Sequence, residues 1–145
     1  MKKTIYFDLD GTIVNFYGVN GWLDCLINED ATPYEIATPL VDTNELTKVL
    51  NNLKNKGYKV SIISWLAKNS TPAFDEKVTK AKYEWIRKYF ANLWFDEVNI
   101  VAYGTPKANF ATKNDILFDD EIGNRENWCG VAYDVNNIIE VLENL

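Results

Sequence analysis

One run, residues 5–12 with the sequence I-Y-F-D-L-D-G-T, constrains this chain more than any other. Ile5, Tyr6, Phe7 and Leu9 make an apolar, β-prone stretch, interrupted by Asp8 and Asp10 and closed by Gly11 and Thr12. Two readings compete. Asp-Gly between apolar flanks is a hairpin signal, pairing the run with Ile13 and Phe16. That reading leaves Asp8 unexplained, because a carboxylate within so apolar a strand needs a partner before it can be buried. The other reading is a strand that delivers two carboxylates to a glycine turn at its end.

A chain of 145 residues, 47% of them hydrophobic, is long enough for one substantial core and too short for two. A single domain over residues 1–145 is therefore expected. The net charge of -6 lacks the basic footprint of a protein that tracks a nucleic-acid backbone, so nucleic acid is an unlikely partner and a small, metal-neutralised anion a better one. No apolar run is long enough to cross a bilayer, which argues against a membrane partner. Met1, Lys2 and Lys3 lead directly into the first strand, and two cysteines, Cys25 and Cys129, are too few for a disulfide framework; a cytoplasmic location with reduced thiols is the expectation. With no histidine in the chain, chemistry must run on carboxylates, lysines and hydroxyls.

Residues 13–40 are broken by Gly18, Gly21, Pro33 and Pro39 and read as a small insertion over a site rather than a regular crossover. Asp42 with Glu45 resembles a capping box, and Leu46, Val49, Leu50 and Leu53 recur at helical spacing before Gly57, a C-terminal cap. Residues 58–64 read as a strand ending in Ser64. Thr71 and Pro72 open a second helix with Phe74, Val78, Ala81, Trp85 and Tyr89 on one stripe, while Lys77, Lys80, Lys82, Arg87 and Lys88 read as its solvated face. Short strands follow at 98–102, 116–118 and 131–133, then a terminal helix with Ile138, Ile139, Leu142 and Leu145. Alternating strands and helices predict an α/β fold: a Rossmann-like, three-layer α/β/α sandwich around a mainly parallel sheet.

Ligands of such sheets sit beyond the carboxyl ends of the strands. Four of the predicted strands end in chemistry: Asp8 and Asp10, Ser64, Lys107, and Asp119 with Asp120. Carboxylates converging on one rim repel each other unless a cation neutralises them, and an all-oxygen donor set favours a hard ion, Mg²⁺. Lys107 and Ser64 suit the oxygens of a phosphate, and Gly11 and Thr12 would offer free backbone N–H groups beside them. An aspartate can be the nucleophile of phosphoryl transfer, and a second aspartate two residues on can protonate the leaving oxygen and then activate water.

The ordered set D-L-D-G-T at residues 8–12, Ser64, Lys107 and Asp119-Asp120 resembles the four motifs of the haloacid dehalogenase superfamily of phosphatases. Within it, D-I-L-F-D-D at 115–120 and K-Y-E-W-I-R-K-Y-F at 82–90 are similar to the 5'(3')-deoxyribonucleotidase group. The resemblance implies a sheet ordered 3-2-1-4-5, Asp8 as nucleophile, and Asp10 as acid/base and as a metal ligand through its backbone carbonyl. It also implies that Asp119 or Asp120 completes a Mg²⁺ site with Asp8. The substrate so implied is a small phosphorylated metabolite, a nucleoside monophosphate first, with sugar phosphates, phosphorylated macromolecules and noncatalytic phosphate binding as alternatives. The insertion at 13–40 is shorter than the cap that forms the base pocket of those nucleotidases, so substrate choice is open and a partner subunit of a homo-oligomer could complete the cap. Trp65 is the tryptophan best placed to meet a ligand, Lys68 competes with Lys107 for the phosphate, Lys113 stands at the wrong end of its strand, and Asp115 is expected to cap structure. Glu121 and Glu126 read as solvated loop charges.

Overall fold

The computed structural model describes residues 3–145; Met1 and Lys2, expected to lead straight into the first strand, lie outside the described residues. The elements run β1 (Thr4–Phe7), α1 (Trp22–Ile27), α2 (Thr32–Ile36), α3 (Thr43–Asn55), β2 (Lys59–Trp65), α4 (Pro72–Tyr89), β3 (Glu97–Val101), β4 (Ile116–Phe118), α5 (Ile122–Glu126), β5 (Val131–Tyr133) and α6 (Ile138–Glu143), with 3₁₀ turns at Lys107–Phe110 and Val135–Asn137. All five strands are parallel, in the order β3-β2-β1-β4-β5. This is the sheet order expected. β1 pairs with β2 and β4 on its two sides, Ile5 standing opposite Val60 and Ile116, so the hairpin reading of Asp10-Gly11 is excluded.

Alternation along β1 divides its side chains between two unequal layers. Ile5 and Phe7 enter the larger core with Leu50 and Leu53 of α3, Phe74, Val78 and Trp85 of α4, and Ile138 and Leu142 of α6. Tyr6 turns to the other face and packs with Ile63, Leu117 and Trp128 in a smaller cluster. A central parallel strand must be apolar on both faces, and all four residues of β1 are buried.

The helix signals were local and correct. Asp42 accepts hydrogen bonds from the N–H groups of Asn44 and Glu45 at the start of α3, and Thr71 accepts from Phe74 N at the start of α4. Asp115 caps structure as expected: its carboxylate takes the N–H of Thr4 at 2.8 Å and of Thr112 at 2.8 Å, tying the entries of β1 and β4 together. Cys25 and Cys129 are both free thiols. No helix among the described residues is long and apolar enough to cross a membrane.

The insertion at 13–40 is fastened to the domain rather than hanging over it. Its two ends pair, Asn15 N with Thr38 O at 2.8 Å and Leu40 N with Ile13 O at 2.9 Å. Its middle is held by α4: Trp85 Nε1 donates to Ala37 O at 2.7 Å, and Glu29 accepts from the N–H and hydroxyl of Thr71.

Candidate active site

The strand register brings the acidic groups together. Phe7 pairs with Phe118, so the next residues, Asp8 and Asp119, leave the sheet side by side; Asp8 N donates to Phe118 O at 3.0 Å and Asp119 N to Tyr133 O at 3.1 Å. Carboxylate oxygens of Asp8, Asp119 and Asp120 lie within 4.8 Å of one another. Lys107, on the 3₁₀ turn after β3, reaches in with its Nζ 3.0 Å from Asp8 Oδ1 and 2.7 Å from Asp119 Oδ2, its side chain only 2% exposed.

One lysine against three carboxylates, two buried and one half-buried, leaves negative charge uncompensated. Burial and the charge of Asp8 push the Asp119 carboxyl up to about 6, although Lys107 opposes the shift. Burial, a hydrogen bond with Asp8 and the charges of Asp8 and Asp119 push Asp120 up to about 7. Burial pulls the Lys107 ammonium down, but Asp8 and Asp119 outweigh it and the net direction is up. Asp119 is further held by Glu121 N at 2.9 Å and Asn124 Nδ2 at 3.1 Å, whereas Asp120 Oδ1 accepts from the Thr12 hydroxyl at 3.3 Å.

The turn after Asp10 differs from expectation. Gly11 and Thr12 do not leave free N–H groups: Gly11 N donates to Val14 O at 2.9 Å and Thr12 N to Leu9 O at 3.0 Å. Leu9 O also takes the N–H groups of Ile13 and Val14, a wound turn that consumes its own donors. What Thr12 contributes is its hydroxyl, 3.0 Å from Asp8 Oδ2, which also accepts from Asp120 N at 3.2 Å. It orients the carboxylates instead of cradling an anion.

A larger correction concerns Lys82. Expected on the solvated face of α4, it is buried with its side chain 2% exposed, and its Nζ donates to Ser64 Oγ at 2.6 Å and Trp65 O at 2.7 Å and lies 3.2 Å from Asp10 Oδ2. Asp10 therefore turns its carboxylate to Lys82 and is not one of the three clustered carboxylates; the expected convergence of four side chains is a convergence of three plus one. Burial raises the Asp10 carboxyl, with Asp8 adding to the shift and Lys82 opposing it. Ser64 accepts from Lys82 and so keeps its hydroxyl proton for another acceptor, because an ammonium can only donate. Lys82 was legible in one respect: it falls four residues after Val78 and three before Trp85, inside the apolar stripe rather than opposite it.

Trp65 also differs in detail. Its indole N–H is spent on Thr105 O at 2.8 Å, and its ring lies 5.4 Å from Lys107 Nζ and 5.0 Å from the Tyr103 ring. It offers a ligand an aromatic surface rather than a donor. A cavity of about 290 Å³ opens above Asp8, Asp10, Lys107, Asp119 and Asp120. The insertion supplies Tyr17, Trp22 and Tyr34 to its wall; the opposite wall is Trp65, Tyr103 and exposed Lys68. Lys68 Nζ lies 5.9 Å from the Tyr103 ring, at the mouth, while Lys107 occupies the floor. Tyr34 and Tyr103 carried no signal in the sequence, since only the fold brings them to the rim.

These features define a parallel α/β domain with a 3-2-1-4-5 sheet and a carboxylate-rich cavity at the carboxyl ends of its strands, part of whose wall residues 13–40 supply. Among solved structures, the D,D-heptose 1,7-bisphosphate phosphatase from Burkholderia thailandensis shares this fold, with a TM-score of 0.59 over 99% of this chain and 97% of that one, at 10% sequence identity. No family model matches the chain, and no curated protein matches it in sequence.

Proposed function

We propose that the protein is a Mg²⁺-dependent phosphatase of the haloacid dehalogenase type, hydrolysing a small phosphate monoester through a phosphorylated Asp8. The observation that carries this reading is that Asp8, Asp10, Lys107, Asp119 and Asp120 face one cavity, from three different segments of the chain. The fold shared with a sugar bisphosphate phosphatase agrees with it.

A divalent cation fits the donor set. Two of the three clustered carboxyls are pushed upward by burial and by the charges of their neighbours, a balance that a cation would reverse. Asp8, Asp119 and Asp120 would hold the ion, with the backbone carbonyl of Asp10, and it would neutralise charge on the transferring phosphoryl group. The rest falls to side chains. Asp8 attacks phosphorus, its oxygen forming a bond as the ester O–P bond breaks. Asp10 gives its proton to the departing oxygen, then takes one from the water that hydrolyses phospho-Asp8. Lys107 holds Asp8 in place and neutralises phosphate oxygens; Ser64, buried and outside the cavity lining, meets Lys82 rather than the phosphate.

A cavity of about 290 Å³ is at the small end for ligand pockets, which run from roughly 300 Å³ upward, and suits a mononucleotide or a monosaccharide phosphate better than a macromolecule. Four aromatic rings line the cavity, Tyr17, Trp22, Trp65 and Tyr103, which favours a flat leaving group and hence a nucleoside monophosphate. A sugar phosphate is the second reading, favoured by the substrate class in the name of the structural relative. The test is phosphate release from nucleoside 5'- and 3'-monophosphates beside sugar phosphates, with Mg²⁺ and with chelator. Chelator should stop turnover and Asp8→Asn should abolish it; full activity in that variant refutes the proposal.

A further inference from the structure

Lys82 is a buried cation that the reaction as written does not use. Its ammonium has three protons and three oxygen neighbours: Ser64 Oγ at 2.6 Å, Trp65 O at 2.7 Å and Asp10 Oδ2 at 3.2 Å. The Tyr34 ring of the insertion covers it from a further side, with its centre 5.3 Å away. Lys82 does not line the cavity, so a substrate bound there meets Asp10 and not the lysine. Lys82 lies at the middle of an 18-residue helix, which gives it a rigid base.

Removing a cation from water is costly, and an apolar residue at this point of the stripe would avoid the cost. The geometry suggests what is gained. Asp10 sits on a tight turn beside Asp8, whose charge repels it, and without a partner it would be free to swing. Lys82 draws its carboxylate to α4 and binds it to β2 through Ser64 and Trp65, while Lys107 serves Asp8 and Asp119.

We propose that Lys82 is the positioning residue for the proton transfer to the leaving group: it holds the Asp10 carboxyl at the place where the ester oxygen departs. This rests on the phosphatase reading. In the first chemical step the ester O–P bond breaks, the Asp8 O–P bond forms, and the Asp10 proton passes to the alkoxide. The carboxylate left behind is the species that Lys82 faces, so the lysine stabilises the product side of that transfer as well as its geometry.

A merely structural role and a positioning role differ in their dependence on the leaving group. An alkoxide needs its proton as it leaves, whereas a nitrophenolate leaves without one. The experiment compares kcat/KM, which reports only steps up to loss of the alcohol, for an alkyl phosphate monoester and for para-nitrophenyl phosphate, in wild type, Asp10→Asn, Lys82→Met and Lys82→Gln. Lys82→Met is expected to lower the alkyl ester about 100-fold and the aryl ester by no more than about threefold, the same selective pattern as Asp10→Asn. Equal losses on both esters, or no loss on either, overturn the proposal. Should Lys82→Met not fold, Lys82→Gln, which keeps a donor for Ser64 and Trp65 O, decides by the same comparison; failure of both to fold makes Lys82 a fold anchor and overturns it too. Absence of turnover of either ester by wild type would instead refute the phosphatase reading, and this inference with it.

Discussion

Gly11 and Asp120 touch so closely that a Cβ on Gly11 would sit 2.4 Å from Asp120 Oδ2. The contact joins the turn after β1 to the end of β4 and sets how near the first and last carboxylates can stand. Gly11 also has φ +83°, a backbone region that strains any residue with a side chain.

Gly11→Ala should therefore fail twice over. Backbone strain alone should cost about 1–3 kcal/mol, read as a lower midpoint in denaturant unfolding. Displacement of Asp120 should also weaken Mg²⁺ binding, measured by calorimetric titration. A variant as stable as wild type with the same Mg²⁺ affinity would show that the contact does not matter.

Lys107 is the counter-ion of two buried acids, and its loss should be expensive. Lys107→Met in the metal-free protein should destabilise by about 3–5 kcal/mol, because Asp8 and Asp119 are left buried without a cation. Adding Asp119→Asn should recover part of the loss, so a double-mutant cycle by chemical denaturation should give clear coupling; strictly additive effects would contradict the ion pair.

The raised Asp119 and Asp120 carboxyls make a pH prediction with a definite sign. Their ordinary value is 3.8, and in the folded chain they lie at about 6 and about 7. Between those limits the folded state binds more protons than the unfolded state, so their stabilising contribution is complete below about pH 4 and is lost as pH rises through about 7. Mg²⁺ supplies the missing charge. Its stabilising effect in thermal melts should be larger at roughly pH 8 than at roughly pH 5. A Mg²⁺ effect that shrinks as pH rises would be inconsistent with a site built from these carboxylates.

Trp22 reports on the leaving group. It lies in the cavity wall with its ring 4.9 Å from that of Tyr17. If a base stacks there, Trp22→Ala should raise KM for a nucleoside monophosphate by about 5–150-fold, the equivalent of about 1–3 kcal/mol, with a smaller change in kcat. An equal rise in KM for a sugar phosphate would favour the second reading of the substrate.

Much of this arrangement was readable in the chain. Hydrogen bonding and periodicity over a few residues determine where α3 and α4 begin, and the apolar runs before Asp8, Ser64 and Asp119 determine strands whose ends carry chemistry. Parallel connectivity then places those ends on one rim, which is why Asp8, Asp10, Lys107, Asp119 and Asp120 are legible as a group in the sequence. What tertiary structure alone decided is the state of each group once there. Whether the N–H groups of Gly11 and Thr12 are free depends on how tightly the turn winds onto Leu9 O. Whether Lys82 faces water or Asp10 depends on partners 18 and 72 positions away, Ser64 and Asp10, that its own helix cannot specify. A lysine is amphipathic and long enough to satisfy either environment, so local pattern does not choose between them; the energy of burying its charge is set by neighbours that only the folded chain assembles.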